Sequence, residues 1–278
     1  VSAPDFIELT RGEAPLLISM PHTGTDIPPE VEAELASPWL ARKDTDWWID
    51  RLYDFAVELG ATVLRTTVSR TVIDVNRDPS GASLYPGQAT TGLCPITSFD
   101  GEPLYRSGRE PDEVEIARRR SRYFDPYHAA LAAELDRLRS GHARVVLYDC
   151  HSIRSVVPRL FDGELPHMNV GTNSGASCDA SLQRAIEAVC SASSFSWVAN
   201  GRFKGGWITR HYGRPDRGVH AVQMELACRS YMDEPVGLVS EETWPTDYAV
   251  SRAAMMRNVL REALHGCLGW TSSAALAM

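Results

Sequence analysis

Two histidines of this chain follow short apolar runs. Leu16-Leu17-Ile18-Ser19-Met20 leads into Pro21-His22-Thr23-Gly24, and Val145-Val146-Leu147-Tyr148 leads into Asp149-Cys150-His151-Ser152. A catalytic zinc takes three nitrogen or oxygen ligands and keeps one position for water, so such a pair would need one carboxylate. Asp26, Asp44 and Asp46 are the candidates near in sequence. Against this stand two plainer readings: an aspartate at a helix start usually caps it, and a histidine is often simply hydrogen-bonded in a core.

Two further patterns bear chemistry. Ile73-Asp74-Val75-Asn76-Arg77-Asp78 sets an arginine beside an amide as the chain leaves an apolar run. A guanidinium grips a carboxylate with two parallel hydrogen bonds, although Asp74 or Asp78 would satisfy it equally in a structural ion pair. In Val219-His220-Ala221-Val222-Gln223-Met224-Glu225, an extended backbone puts residues 221, 223 and 225 on one face. Burying a glutamate there alone is costly, which points to a metal, a water or an arginine beside it, or else to an edge strand facing solvent. The stretch from Lys204 to Gly213 mixes glycines with Arg210 and His211 and reads as a mobile binding loop. There is no GxSxG elbow, no HExxH helix and no phosphate-cradling glycine pattern.

The elements that must position these residues alternate. Strands are expected at Leu16 to Met20, Ala61 to Thr67, Thr71 to Val75, Val145 onward, Phe195 to Ala199 and Val219 to Leu226. Helical spacing runs from Trp48 to Leu59 with Gly60 as its stop, through Ile116 to Leu138, over Ser181 to Cys190 and over Tyr248 to Leu264. Between Asn76 and Arg109 periodicity gives way to scattered Gly and Pro, and irregular stretches of that length are often functional. The pattern is that of one α/β domain over residues 1–270, a mixed, mostly parallel sheet flanked by helices on both faces, with 271–278 as a loose tail.

Composition narrows the partners. The 278 residues carry 28 basic against 36 acidic side chains, a net charge of −8, which argues against a nucleic-acid partner. The apolar runs are far short of the roughly 20 residues that span a bilayer, and the first residues lack the pattern of a secretory signal, so a cytoplasmic protein without a membrane partner is expected. Six scattered cysteines without a CxxC pair fit reduced thiols.

In order along the chain, Ser19-Met20-Pro21-His22-Thr23-Gly24, Asp44-Thr45-Asp46-Trp47, Asp74-Val75-Asn76-Arg77, Leu84-Tyr85-Pro86-Gly87-Gln88, Asp149-Cys150-His151-Ser152-Ile153-Arg154, Gly205 to Gly213 and His220 to Leu226 resemble the N-formylglutamate amidohydrolases. That family is itself similar to the zinc carboxypeptidases and aspartoacylases. The resemblance implies hydrolysis of N-formyl-L-glutamate to formate and L-glutamate, a step of histidine degradation, by a fold of mixed sheet and flanking helices. It implies one divalent ion, Zn2+, on His22, Asp46 and His151, with Asp46 chosen over Asp26 and Asp44 by its match to the family's helix-start aspartate. It implies Glu225 as the general base toward a metal-bound water, and Asn76 and Arg77 as a carboxylate clamp. Arg210 is expected to join Arg77 on a small dianionic substrate. Trp48 and Trp207 stand where close relatives are expected to have histidine, and are expected to reshape the pocket; an altered pocket would suit another N-acyl amino acid, and a metal-free binding protein on the same fold is the remaining reading.

Overall fold

Leu16, Ile18 and Met20 pack into one core and Leu17 into another, the two-residue alternation of an extended chain. The same split runs through the neighbouring strands, with Tyr148 and Met224 on the first side and Leu147 and Ala221 on the second. The computed structural model describes residues 4–83, 87 and 90–273. Its strands β1 (Ile7–Thr10), β2 (Leu16–Met20), β3 (Thr62–Thr66), β4 (Val145–Ile153), β5 (Met168–Gly171), β6 (Trp197–Ala199) and β7 (Val219–Ala227) form one sheet in the order β1-β3-β2-β4-β7-β5-β6. β3, β2, β4 and β7 run parallel to one another; β1 and the β5–β6 pair run against them. β2 and β4 are buried along their whole length, as parallel strands covered on both faces must be.

Seven helices supply the cover: α1 (Pro29–Glu32), α2 (Ile49–Leu52), α3 (Glu113–Arg119), α4 (Asp125–Gly141), α5 (Ala180–Ala192), α6 (Trp207–Tyr212) and α7 (Val250–Ser273). α2, α5 and α7 bring Leu52, Ile186 and Leu260 to one face. α4 and α6 bring Leu131, Leu135 and Ile208 to the other. The mixed α/β fold with helices on both faces is therefore the one expected. All six cysteines are buried and unpaired, and among the described residues no helix is long and apolar enough to cross a membrane.

Several local expectations are corrected. Thr71 to Val75 is not a strand but a buried series of turns, with Val72 N–H donating to Ser69 O and Asp74 N–H to Leu93 O; its β-branched residues report burial, which strands and packed turns share. The Trp48 to Leu59 segment is a single α-turn followed by a 3-10 stretch, closed by Gly60 at φ 72°, a left-handed cap that favours glycine. The helix through Ile116 widens into a π-turn at Arg120–Phe124, just before Pro126, whose missing N–H cannot serve the α-ladder. Gly205 to Gly213 holds α6 rather than being wholly loop. His151 stands inside β4, not after it, and α7 runs through Thr271–Ser273, where a loose tail was expected. Residues 274–278 lie outside the described ones.

One histidine serves the fold. His128 of α4 meets the Val75 carbonyl with Nε2 (2.8 Å) and the Tyr212 hydroxyl with Nδ1 (3.0 Å), and packs between Phe124 and Trp207. A carbonyl accepts only, so Nε2 holds the proton and Nδ1 accepts from tyrosine. Burial pushes its pKa down from 6.5 to about 3, against the opposing pull of the Val75 carbonyl. Above pH 6.5 the ring is neutral folded or unfolded and its contribution is complete; as pH falls toward 3 the unfolded chain takes the proton first and stability drops, by up to about 1.4 kcal/mol per pH unit. His128→Gln is expected to flatten the pH dependence of urea-unfolding stability between pH 6.5 and 5. An unchanged slope would show that this imidazole does not carry the linkage.

Candidate active site

His22, Asp46, Asn76, Arg77, His151 and Glu225 converge outside the carboxyl ends of the parallel strands, where open α/β sheets bind ligands. His22 follows β2 by two residues, and His151 lies near the end of β4, in register with Glu225 of β7. Asp46 enters from the connection between β2 and β3, its N–H donating to His22 O at 3.0 Å. Asp74, Asn76 and Arg77 come from the turns after β3. Asp149 and His151 share one face of β4, as Gln223 and Glu225 share one face of β7, and the Gln223 Nε2 donates to Glu225 Oε2 at 2.9 Å.

The imidazoles are 4.8 Å apart between ring centres. His22 Nε2 donates to Asp74 Oδ1 at 2.6 Å, which leaves Nδ1 to carry the lone pair; that Nδ1 is buried without a hydrogen-bond partner. His151 Nε2 meets Asp149 Oδ2 at 3.0 Å and its Nδ1 meets Asp46 Oδ2 at 3.0 Å. Burial alone would lower the His151 pKa, but Asp149 and Asp46 raise it well above the usual range. Burial likewise acts to raise Asp46, and the bond with His151 together with the nearby His22 imidazole outweighs it, holding the carboxyl well below its usual range. Behind the cluster, Arg70 pairs with Asp74 at 2.8 Å and approaches Asp46 at 3.6 Å. Asn76 is fixed by Ile208 N–H on its Oδ1, so its Nδ2 faces His151 and Asp149.

This arrangement fits a metal ion. One nitrogen or oxygen from each of His22, Asp46 and His151 lies within 4.8 Å of the others, and all three residues are buried. Asp46 Oδ2 stands 3.7 Å from His22 Nδ1 and 3.0 Å from His151 Nδ1; ligands of a tetrahedral ion bonded at about 2.0–2.1 Å are spaced by roughly 3.3 Å. The outer nitrogens already hold carboxylates that fix ring orientation, the usual support of metal-bound histidine. Asp46 Oδ1 is a second buried polar atom without a hydrogen-bond partner, Arg70 Nη1 standing 3.6 Å from it. Of the alternative carboxylates, Asp26 is exposed, and Asp44 turns Oδ2 to Phe99 N–H at 2.6 Å, its pKa raised to about 6 by burial.

An open-mouthed cavity lies over the cluster, lined by His22, Asn76, Arg77, His151 and Glu225 together with Arg70, Phe99, Leu160, Arg202, Phe203 and Gln223. Burial pushes the Glu225 carboxyl up to about 7, against the pull of His151. Arg77 lines the cavity and also approaches Asp74 at 3.5 Å, so the clamp and ion-pair readings describe the same side chain. Arg210 is not among the residues of this wall; its Nε donates to Gly205 O at 2.9 Å. Nor are Trp48, whose indole donates to Thr246 O, or Trp207, which stacks on His211 at 4.1 Å. Leu84, Tyr85, Pro86 and Gln88 of the fourth motif lie outside the described residues. Gly206 earns its glycine by close approach: a Cβ there would sit 2.4 Å from Asn76 Nδ2.

The sequence reading gave Asp149, Arg70, Gln223 and Arg202 no role. The period-two spacing that puts Gln223 on the face of Glu225 would likewise have put Asp149 beside His151; nothing local marks the two arginines.

The family model for N-formylglutamate amidohydrolase matches residues 14–232. The chain belongs to the N-formylglutamate amidohydrolase family. Among its relatives, an N-formylglutamate deformylase of Pseudomonas aeruginosa is 51% identical over 267 residues, 96% of this chain and 97% of that one. One of Pseudomonas putida is 48% identical over 94% of both chains. The fold also matches the crystal structure of an N-formylglutamate amidohydrolase from Ralstonia eutropha JMP134, with a TM-score of 0.77 at 24% identity, covering 96% of this chain and 98% of that one. The family match spans every proposed site residue from His22 to Glu225.

Proposed function

We propose that this amidohydrolase-family chain hydrolyses the formamide bond of N-formyl-L-glutamate to formate and L-glutamate, as in the breakdown of histidine, with one divalent ion, Zn2+, held by His22, Asp46 and His151. The observation that carries the reading is the convergence of these three buried residues, each histidine steadied by a carboxylate, on a cavity whose wall contains one glutamate and several arginines. When bound, the ion supplies Lewis-acid polarisation of the formyl carbonyl and lowers the pKa of water.

The chain's own groups do the rest. Glu225, opposite His151 in register, takes a proton from the attacking water as its hydroxyl oxygen bonds to the formyl carbon. It then returns that proton to the amide nitrogen as the C–N bond breaks, so that formic acid and a neutral amine leave; the acid's own proton then passes to the amine, giving formate and an ammonium group. A carboxyl with its pKa near the working pH suits both halves of that transfer, and Gln223 holds one of its oxygens in place. Arg77, beside the amide of Asn76, binds a substrate carboxylate and fixes the direction in which the formyl group enters.

Formate release from a panel of N-formyl, N-acetyl and N-carbamoyl amino acids tests this reading. N-formyl-L-glutamate is expected to exceed every other substrate in kcat/KM. A panel led by another acyl group would keep the chemistry and replace the substrate, and no turnover of any member by the metal-loaded protein would overturn the reading.

A further inference from the structure

We propose that Arg202 reads the side-chain carboxylate of the substrate, and so sets the preference for an acidic over a neutral amino acid. The inference rests on the amide-hydrolysing site above and assigns a residue to its outer end. A substrate placed with its acyl carbon at the His22, Asp46 and His151 cluster presents two carboxylates at different reach. The α-carboxylate lies two bonds from the amide nitrogen, and the side-chain carboxylate of glutamate lies four.

Three arginines line the cavity, and the structure separates their duties. Arg70 is committed inward, to Asp74 at 2.8 Å and toward Asp46 at 3.6 Å. Arg77 directly follows Asn76, whose Nδ2 is 2.9 Å from His151 Nε2, so it serves the nearer carboxylate. Arg202 stands on the other wall, between β6 and α6. Its Nε donates to Leu160 O at 2.7 Å, and its guanidinium carbon is 5.3 Å from the centre of the Phe203 ring. Leu160 and Phe203 are themselves in the cavity wall, so these two contacts fix the guanidinium at the cavity, where it can form a charge-assisted pair with a substrate carboxylate. The segment is anchored at its far end by Gly206 N–H donating to Gln223 Oε1 at 2.7 Å, which ties the position of Arg202 to the strand that carries Glu225.

The test compares wild type with Arg202→Met and Arg202→Lys, with thermal midpoints and metal content recorded for each. For Arg202→Met, kcat/KM on N-formyl-L-glutamate is expected to fall about 10- to 100-fold, the scale of a lost charge-assisted pair, mainly through KM. Turnover of N-formyl-L-glutamine should change less than about threefold on the same logic, and Arg202→Lys should recover part of the loss. Equal losses on both substrates, or an unchanged preference, would overturn the inference. Calorimetric binding of L-glutamate against L-glutamine reads the residue without turnover. A wild-type preference for glutamate that disappears in Arg202→Met supports it even if no formyl amino acid is hydrolysed, an outcome that would sink the proposed reaction alone. Absence of any preference in the wild type, or its survival in Arg202→Met, would remove Arg202 from this role.

Discussion

Glu225→Gln is expected to lower kcat on N-formyl-L-glutamate by about 10³-fold, within the span that general acid–base groups contribute, while metal content stays at the wild-type level. The substitution keeps shape and removes the proton acceptor. Glu225 is buried, lines the cavity beside His151 and has its pKa pushed up to about 7 by burial; in the proposed role its contribution is to proton transfer, and KM should move little. The Gln223 contact gives a useful internal control: Gln223 Nε2 donates to Glu225 Oε2, and an amide oxygen at residue 225 can accept the same bond. Single-turnover kinetics and metal analysis on the same preparation check the prediction. If metal and activity fall together, Glu225 is a ligand and the base must be sought elsewhere.

Removing the ion is the second large effect. Dialysis against a chelator is expected to reduce formate release by at least about 10³-fold, because both polarisation of the carbonyl and activation of water are lost, and added Zn2+ should restore it. The structure adds a graded version. Asp74 fixes the His22 ring through a 2.6 Å bond, and loss of such a supporting carboxylate typically weakens metal affinity 10- to 100-fold. Asp74→Asn should therefore shift the chelator concentration that gives half-loss of activity, with kcat at saturating metal much less affected. Activity that persists in protein shown to contain no metal would end the metal reading outright.

Much of this site could be read before any coordinates because its residues sit at the ends of locally recognisable elements. His22 and His151 follow apolar runs that could only be buried strands, and the period of β7 places Gln223 and Glu225 on one side. Thr71 to Val75 failed for an instructive reason: the same β-branched side chains that suit a strand also suit a buried turn, and no local signal says whether a pairing partner exists. Asp74 was visible only as a possible partner of Arg77. Its contacts with His22 and Arg70 depend on how the turns after β3 fold back onto β2, which neighbouring residues do not encode. Arg202 was missed for the same reason: it lies in the irregular stretch between β6 and α6, and nothing local marks such a residue as lining the cavity.

The placement of β5 and β6 at the sheet's edge, running as a pair against the central strands, has a consequence for substrate choice. The histidines and the glutamate are carried by β4, β7 and the loop after β2, which are locked together by continuous parallel pairing. Arg202 rides on the connection leaving β6, a peripheral three-residue strand with a neighbour on only one side. With Arg202 in the proposed role, a substitution in that margin would change recognition of the side chain without disturbing the paired central strands. On the proposed assignment, the fold thus places the groups of the reaction on its central strands and the choice of substrate at its margin.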